Sequence, residues 1–216
     1  MLSAQLIHNF DLFGTAVFAI TGALCGVRHQ LDLLGVVVFG CTVGVGGGIL
    51  RDTIIGATPV SALQNISYLV ICIISSLLIF FVARYLTNLT RIIAACDAVG
   101  LGVFTAIGAA KGAAYDLNAI GIILCGVLTA VGGGILRDVM SKSIPVVLTS
   151  DFYATASLLG GGLFCILNKF TNFSAFAIFV TVFIFVTGIR LAAMHYHLQL
   201  PRARSADTPE LERKIS

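Results

Sequence analysis

Fifty residues of this chain are written twice. Laid on one another without a gap, residues 11–60 and 97–146 share about twenty identities, which marks an internal duplication. Among them are Asp11/Asp97, Gly14/Gly100, Gly22/Gly108, Gly26/Gly112, Gly35/Gly121, Gly40/Gly126, Pro59/Pro145, and the whole string GGGILRD at 46–52 and again at 132–138. Whatever the fold is, both halves must build the same unit.

Composition says where that unit sits. The chain is 58% hydrophobic and 11% charged, with a mean hydropathy of +1.02, whereas soluble domains carry about a quarter charged residues. Seven apolar stretches, centred near residues 17, 44, 76, 103, 130, 160 and 184, each approach the roughly 20 residues that cross a bilayer as a helix. The expected fold is all-α, an integral membrane domain over about residues 1–200. The first copy runs over about 5–88 and the second over about 91–170. A seventh helix covers about 173–195, and the polar segment 201–216 is a flexible cytoplasmic tail. No Lys or Arg precedes Arg28, so the first apolar stretch lacks the basic leader of a cleaved signal and is read as a span.

Each copy holds three spans, an odd number. An odd unit repeated in tandem enters the membrane from the opposite side the second time, which predicts two inverted three-helix repeats with the seventh helix outside the pair. With the C-terminus cytoplasmic, the inner side takes Arg28, Arg84, Arg91, Arg137, Lys142, Arg190, Arg202, Arg204, Arg213 and Lys214. The outer side keeps only Arg51, Lys111 and Lys169. That bias places the N-terminus outside.

The glycine triplets fall near the middle of the second and fifth spans, drawn as Asp32 to Ala57 and Asn118 to Ser143. One glycine in a helix costs about 1 kcal/mol relative to alanine. Three together predict a bend or break at Gly46, Gly47, Gly48 and at Gly132, Gly133, Gly134. Freed peptide groups at that depth need protein or water partners, so a break points to a polar path. The competing reading is close helix packing, which is expected for Gly22/Gly26, Gly108/Gly112 and the unrepeated Gly160–Gly162.

Arg51, Asp52, Arg137 and Asp138 follow the triplets. Ionised groups at membrane depth are costly and mark function by default. Adjacent residues on a helix do not face each other, so each motif is expected to find partners elsewhere. Asp11 and Asp97 stand at matching depths, which predicts the pairs Arg51 with Asp11 and Arg137 with Asp97, or else a cross-repeat exchange. Lys111 has Cys25 as its counterpart and breaks the symmetry, either as an interfacial anchor or as a gating charge. His8, His29, His195 and His197 are expected at the interface. All six cysteines lie in apolar stretches without metal spacing and are read as packing residues.

Two three-span copies, each with GGGxxRD in its second helix, plus a seventh span resemble the prokaryotic members of the trimeric intracellular cation (TRIC) channel family over about residues 5–195. The resemblance implies a homotrimer in a prokaryotic plasma (inner) membrane. Each protomer would hold its own pore, lined by the second and fifth helices at their glycine triplets, passing potassium or sodium ions. The six glycines, the motif residues Arg51, Asp52, Arg137 and Asp138, and Asp11 and Asp97 are the candidate site residues, with Lys111 for gating. Small-residue faces on the first and fourth spans permit trimerisation. Membrane lipid is the surrounding partner, and neither a cofactor nor nucleic acid is expected. Bacterial chains of this kind are also labelled glycine transporters, so a carrier of glycine or another small zwitterion is the alternative. No HExxH, GxSxG triad or phosphate loop appears, and the chain is not read as an enzyme.

Overall fold

The computed structural model describes residues 4–149, 152–196 and 198. The expected tail at 201–216 and His197 lie outside the described residues. The described chain is helical throughout: α1 (Ala4–Arg28), α2 (Leu33–Ile54), the one-turn α3 (Ser61–Gln64), α4 (Ser67–Val82) with a 3-10 turn at Ala83–Tyr85, α5 (Leu89–Ala114), α6 (Ala119–Met140), the one-turn α7 (Val146–Thr149), α8 (Ala154–Phe170) and α9 (Ala175–His195). Six of these helices are long and apolar enough to cross a membrane. The 17-residue α8 is apolar and shorter, about 25 Å at 1.5 Å per residue.

The duplication reappears in local structure. Asp32 caps α2 by accepting from the Gly35 amide at 2.7 Å, and Asn118 caps α6 by accepting from the Gly121 amide at 2.8 Å. Such a cap is worth about 1 kcal/mol. Positive φ occurs at matching turns, Gln30 with Asp116 and Gly56 with Lys142. The second and fifth spans stop three residues short of their expected ends, because the chain turns back at Gly56 and Lys142 before reaching the prolines.

Helices α1 and α5 form the centre. α2 and α4 pack on α1; α6, α8 and α9 pack on α5; and α1 against α5, with α2 against α6, makes the seam between the copies. The small residues of α1 and α5 are used inside this bundle. A Cβ on Gly22 would stand 2.8 Å from the Phe39 carbonyl oxygen, and one on Gly108 would stand 2.6 Å from that of Cys125. These faces are therefore not available for trimer contacts, contrary to expectation, because intramolecular packing consumes them. Exposed apolar side chains instead line α4, among them Ile74, Leu78 and Phe81, as suits a lipid-facing helix.

Candidate functional site

The glycine triplets do not break their helices. α2 and α6 are α-helical without interruption through Gly46–Gly48 and Gly132–Gly134, so of the expected bend or break the break is not adopted. The physical reason is tertiary. The triplets are where α2 and α6 cross, and the crossing leaves no room for a side chain. A Cβ on Gly47 would run into the Thr129 carbonyl, and one on Gly133 would lie 2.6 Å from the Val43 carbonyl oxygen. A Cβ on Gly132 would lie 2.9 Å from a Leu50 methyl, and one on Gly46 would run into Leu136. Each contact has its mirror, since Val43 and Leu50 correspond to Thr129 and Leu136 in the duplication. The third glycines face elsewhere. Gly48 borders a cavity beside Arg51, and a Cβ on Gly134 would lie 2.7 Å from the Tyr153 hydroxyl and 3.6 Å from Asp97.

One turn beyond each crossing stands an ionic network. In the first, Arg51 donates through Nη2 to Asp11 Oδ2 at 3.4 Å and through Nε to Asp52 Oδ1 at 2.8 Å. Lys111 Nζ donates to Asp52 Oδ1 at 2.7 Å and to Ser61 Oγ at 2.9 Å. The Tyr68 hydroxyl donates to Asp11 at 2.9 Å, and the second oxygen of Asp52 accepts the Ser61 amide at 2.9 Å, capping α3. In the second, Arg137 donates to Asp97 at 2.6 Å and to Asp138 at 2.9 Å, and Asp138 accepts the Val146 amide at 2.7 Å, capping α7. Arg190 of α9 lies over the Tyr153 ring at 5.0 Å.

The expected pairs Arg51 with Asp11 and Arg137 with Asp97 are present, and the cross-repeat exchange is not adopted. Two expectations are corrected. Each motif arginine bonds its own neighbouring aspartate, because its flexible stem swings the Nε sideways along the helix. Lys111 is no interfacial anchor; it points inward onto Asp52. His8, near the start of α1, is within hydrogen-bond distance of Asn65 and Tyr68. Both arginines and all four aspartates are buried; Arg51 and Lys111 offset Asp11 and Asp52 in the first network, while in the second Arg137 faces two carboxylates, with the buried Arg190 close by over Tyr153.

Each network borders a cavity. The first is about 10 Å³, lined by Asp11, Gly48, Arg51, Asp52, Tyr68 and Phe104 among others. The second is about 330 Å³, lined by Cys25, Arg28, His29, Asp97, Arg137 and Asp138 among others. Sequence reading missed Ser61, Tyr68, Tyr153 and Arg190. Tyr68 and Tyr153 lie 85 positions apart, one off the offset of the ungapped window, so only a gapped comparison would have aligned them.

The family model described as Glycine transporter matches residues 8–84 and 94–169, once for each copy. A UPF0126 membrane protein of Vibrio cholerae is 40% identical over 93% of this chain and 84% of its own length. The UPF0126 inner membrane protein YadS of Escherichia coli is 36% identical over 91% and 96%. The trimeric intracellular cation channel orthologue from Rhodobacter sphaeroides superposes with a TM-score of 0.86 at 34% identity, covering 90% of this chain and 100% of that one. With a matching fold, a doubled motif and a match to the domain in each copy, this chain belongs to the prokaryotic TRIC family of membrane proteins, whose domain carries the glycine transporter description.

Proposed function

We propose that this protein is a homotrimeric channel for monovalent cations, chiefly potassium, in a bacterial inner membrane, with a separate path in each protomer. The observation that carries this reading is the full-length likeness to the Rhodobacter sphaeroides TRIC orthologue. The inverted arrangement of the copies belongs to the same proposal. Asp97 and Lys111 are fourteen residues apart on α5, about 21 Å along its axis. Asp97 joins the second network and Lys111 the first, so α5 runs from the second network toward the first. α1 begins at the first network through Asp11. Antiparallel α1 and α5, together with the mirrored contacts at the α2–α6 crossing, support a pseudo-two-fold axis in the membrane plane.

On this reading the path runs from one cavity to the other along α1, α2, α5 and α6. Arg51 and Arg137 would repel a cation if bare; bonded to aspartates they are neutralised in place. The buried Arg51 Nη1 has no hydrogen-bond partner, and the adjoining cavity has room for about one water, which supports hydration on that side. In planar bilayers with asymmetric potassium chloride, the purified protein is expected to give unitary currents reversing near the potassium potential. Saturable glycine uptake without unitary currents would replace this reading with the carrier that the family description favours.

A further inference from the structure

Between the two charged networks stands a pair of phenyl rings. Phe18 and Phe104 are equivalent positions of the duplication, and their rings stack at 5.2 Å between centroids and 17° between planes. Both are buried, at 0% and 1% exposure. Each ring is seated on a glycine of the other copy. A Cβ on Gly14 would lie 3.0 Å from the Phe104 ring, and one on Gly100 would lie 3.2 Å from the Phe18 ring. Phe18 also closes on the α2–α6 crossing, 3.5 Å from where Gly133 would carry a Cβ. The rings therefore touch three of the four helices that bound the path.

Their position along the molecule is equally defined. Asp97, Phe104 and Lys111 are spaced by sevens on α5, so they share one face, about 10.5 Å apart in rise. Asp11 and Phe18 repeat the spacing on α1. Phe104 is thus midway between the carboxylate of one network and the ammonium of the other, and it lines the first cavity directly.

We infer that Phe18 and Phe104 form the apolar constriction that closes the path between the two networks. This rests on the proposed channel and assigns its barrier. A hydrated cation cannot pass a sleeve of ring carbons that offers no oxygen in exchange for its water, and such constrictions gate by dewetting. Opening requires the rings to part, and a polar side chain at either position would wet the gap without that movement.

The test uses the full chain in liposomes, reading passive potassium efflux alongside bilayer currents. Phe18→Asn and Phe104→Asn are expected to raise efflux about tenfold or more. Phe164→Asn, the same change at a buried ring of α8 away from the path, controls for polar insertion into the core. Phe18→Ala and Phe104→Ala, which remove the ring without adding a polar group, serve if the Asn proteins do not purify as a single species. Efflux from well-folded Phe18 and Phe104 variants equal to that of the unsubstituted protein overturns the constriction. If the unsubstituted protein gives no unitary currents, the channel reading falls separately. Raised efflux in the Phe variants would still uphold the barrier between the networks, and unchanged efflux would still remove it.

Discussion

Arg137 makes two charged contacts in a buried site, to Asp97 on α5 and to its neighbour Asp138. Removing one partner of a buried ion pair leaves uncompensated charge and costs about 3–5 kcal/mol, whereas replacing both partners with apolar groups is often nearly neutral. Asp97→Asn should therefore lower the thermal stability of the purified protein sharply. The triple variant Asp97→Leu, Arg137→Met and Asp138→Asn, which leaves no carboxylate of this network unpaired, should recover much of the loss, and a double-mutant cycle of Asp97→Leu with Arg137→Met on melting temperature reads their coupling. Lys111→Met should cost less, because Asp52 keeps Arg51 and the Ser61 amide, and Lys111 is 18% exposed. If Lys111 gates, its removal changes the open probability across 100 mV by no more than the ~2.3 kcal/mol that one full charge supplies; a steeper change in bilayer recordings would assign gating to other charges. The arginine–aspartate pairs were legible in the sequence because charges at membrane depth need partners, and matched depth named them. The Lys111 contact was not, because its target lies on a helix of the other copy and nothing in the spacing joins them.

At the scale of the helix, the starts of α2 and α6 could be read from residues. Asp32 and Asn118, each three positions before a glycine, start α2 and α6 where an N-cap should. The triplets could not be read so. Three glycines weaken a helix equally whether it then breaks or is pressed against a neighbour, and only the facing backbone of Thr129 and Val43 decides which happens. Where a carbonyl occupies the space of a side chain, the helix stays whole and the two backbones close on each other. Gly47→Ala and Gly133→Ala should each force α2 and α6 apart, at a cost of about 1–3 kcal/mol as for other overpacked cores. Gly162→Ala, at a site with nothing within 4 Å, should be neutral or stabilise by up to about 1 kcal/mol. Equal melting temperatures for all three variants would mean that the crossing is looser than its geometry.

At the scale of the molecule, the duplication and its odd span count were the strongest signals, and the described helices repeat in the same order around a shared seam. Orientation depends on weaker forces. If the N-terminus is outside, the turns at Gln30, at 86–88 and at Lys142 face the cytoplasm, while those at Asp116 and 171–174 face out. The basic residues beside the first set, Arg28, Arg84, Arg91 and Lys142, then outnumber Lys111 and Lys169 beside the second, even with the buried motif arginines left out of the count, as the positive-inside bias requires. Lys111 is moreover engaged by Asp52, so it contributes little to orientation from the outer side. Reporter enzymes active only outside the membrane, fused after Asp116 or Thr171, should therefore be active, and fusions after Gln30 or Lys142 silent. Because the bias rests on a few charges, replacing Arg84 and Arg91 with glutamine should weaken it and raise the activity of the Lys142 fusion, which carries both positions. Activity at all four positions in the unsubstituted chain would instead mean that copies insert both ways, as an inverted duplication with balanced loops would.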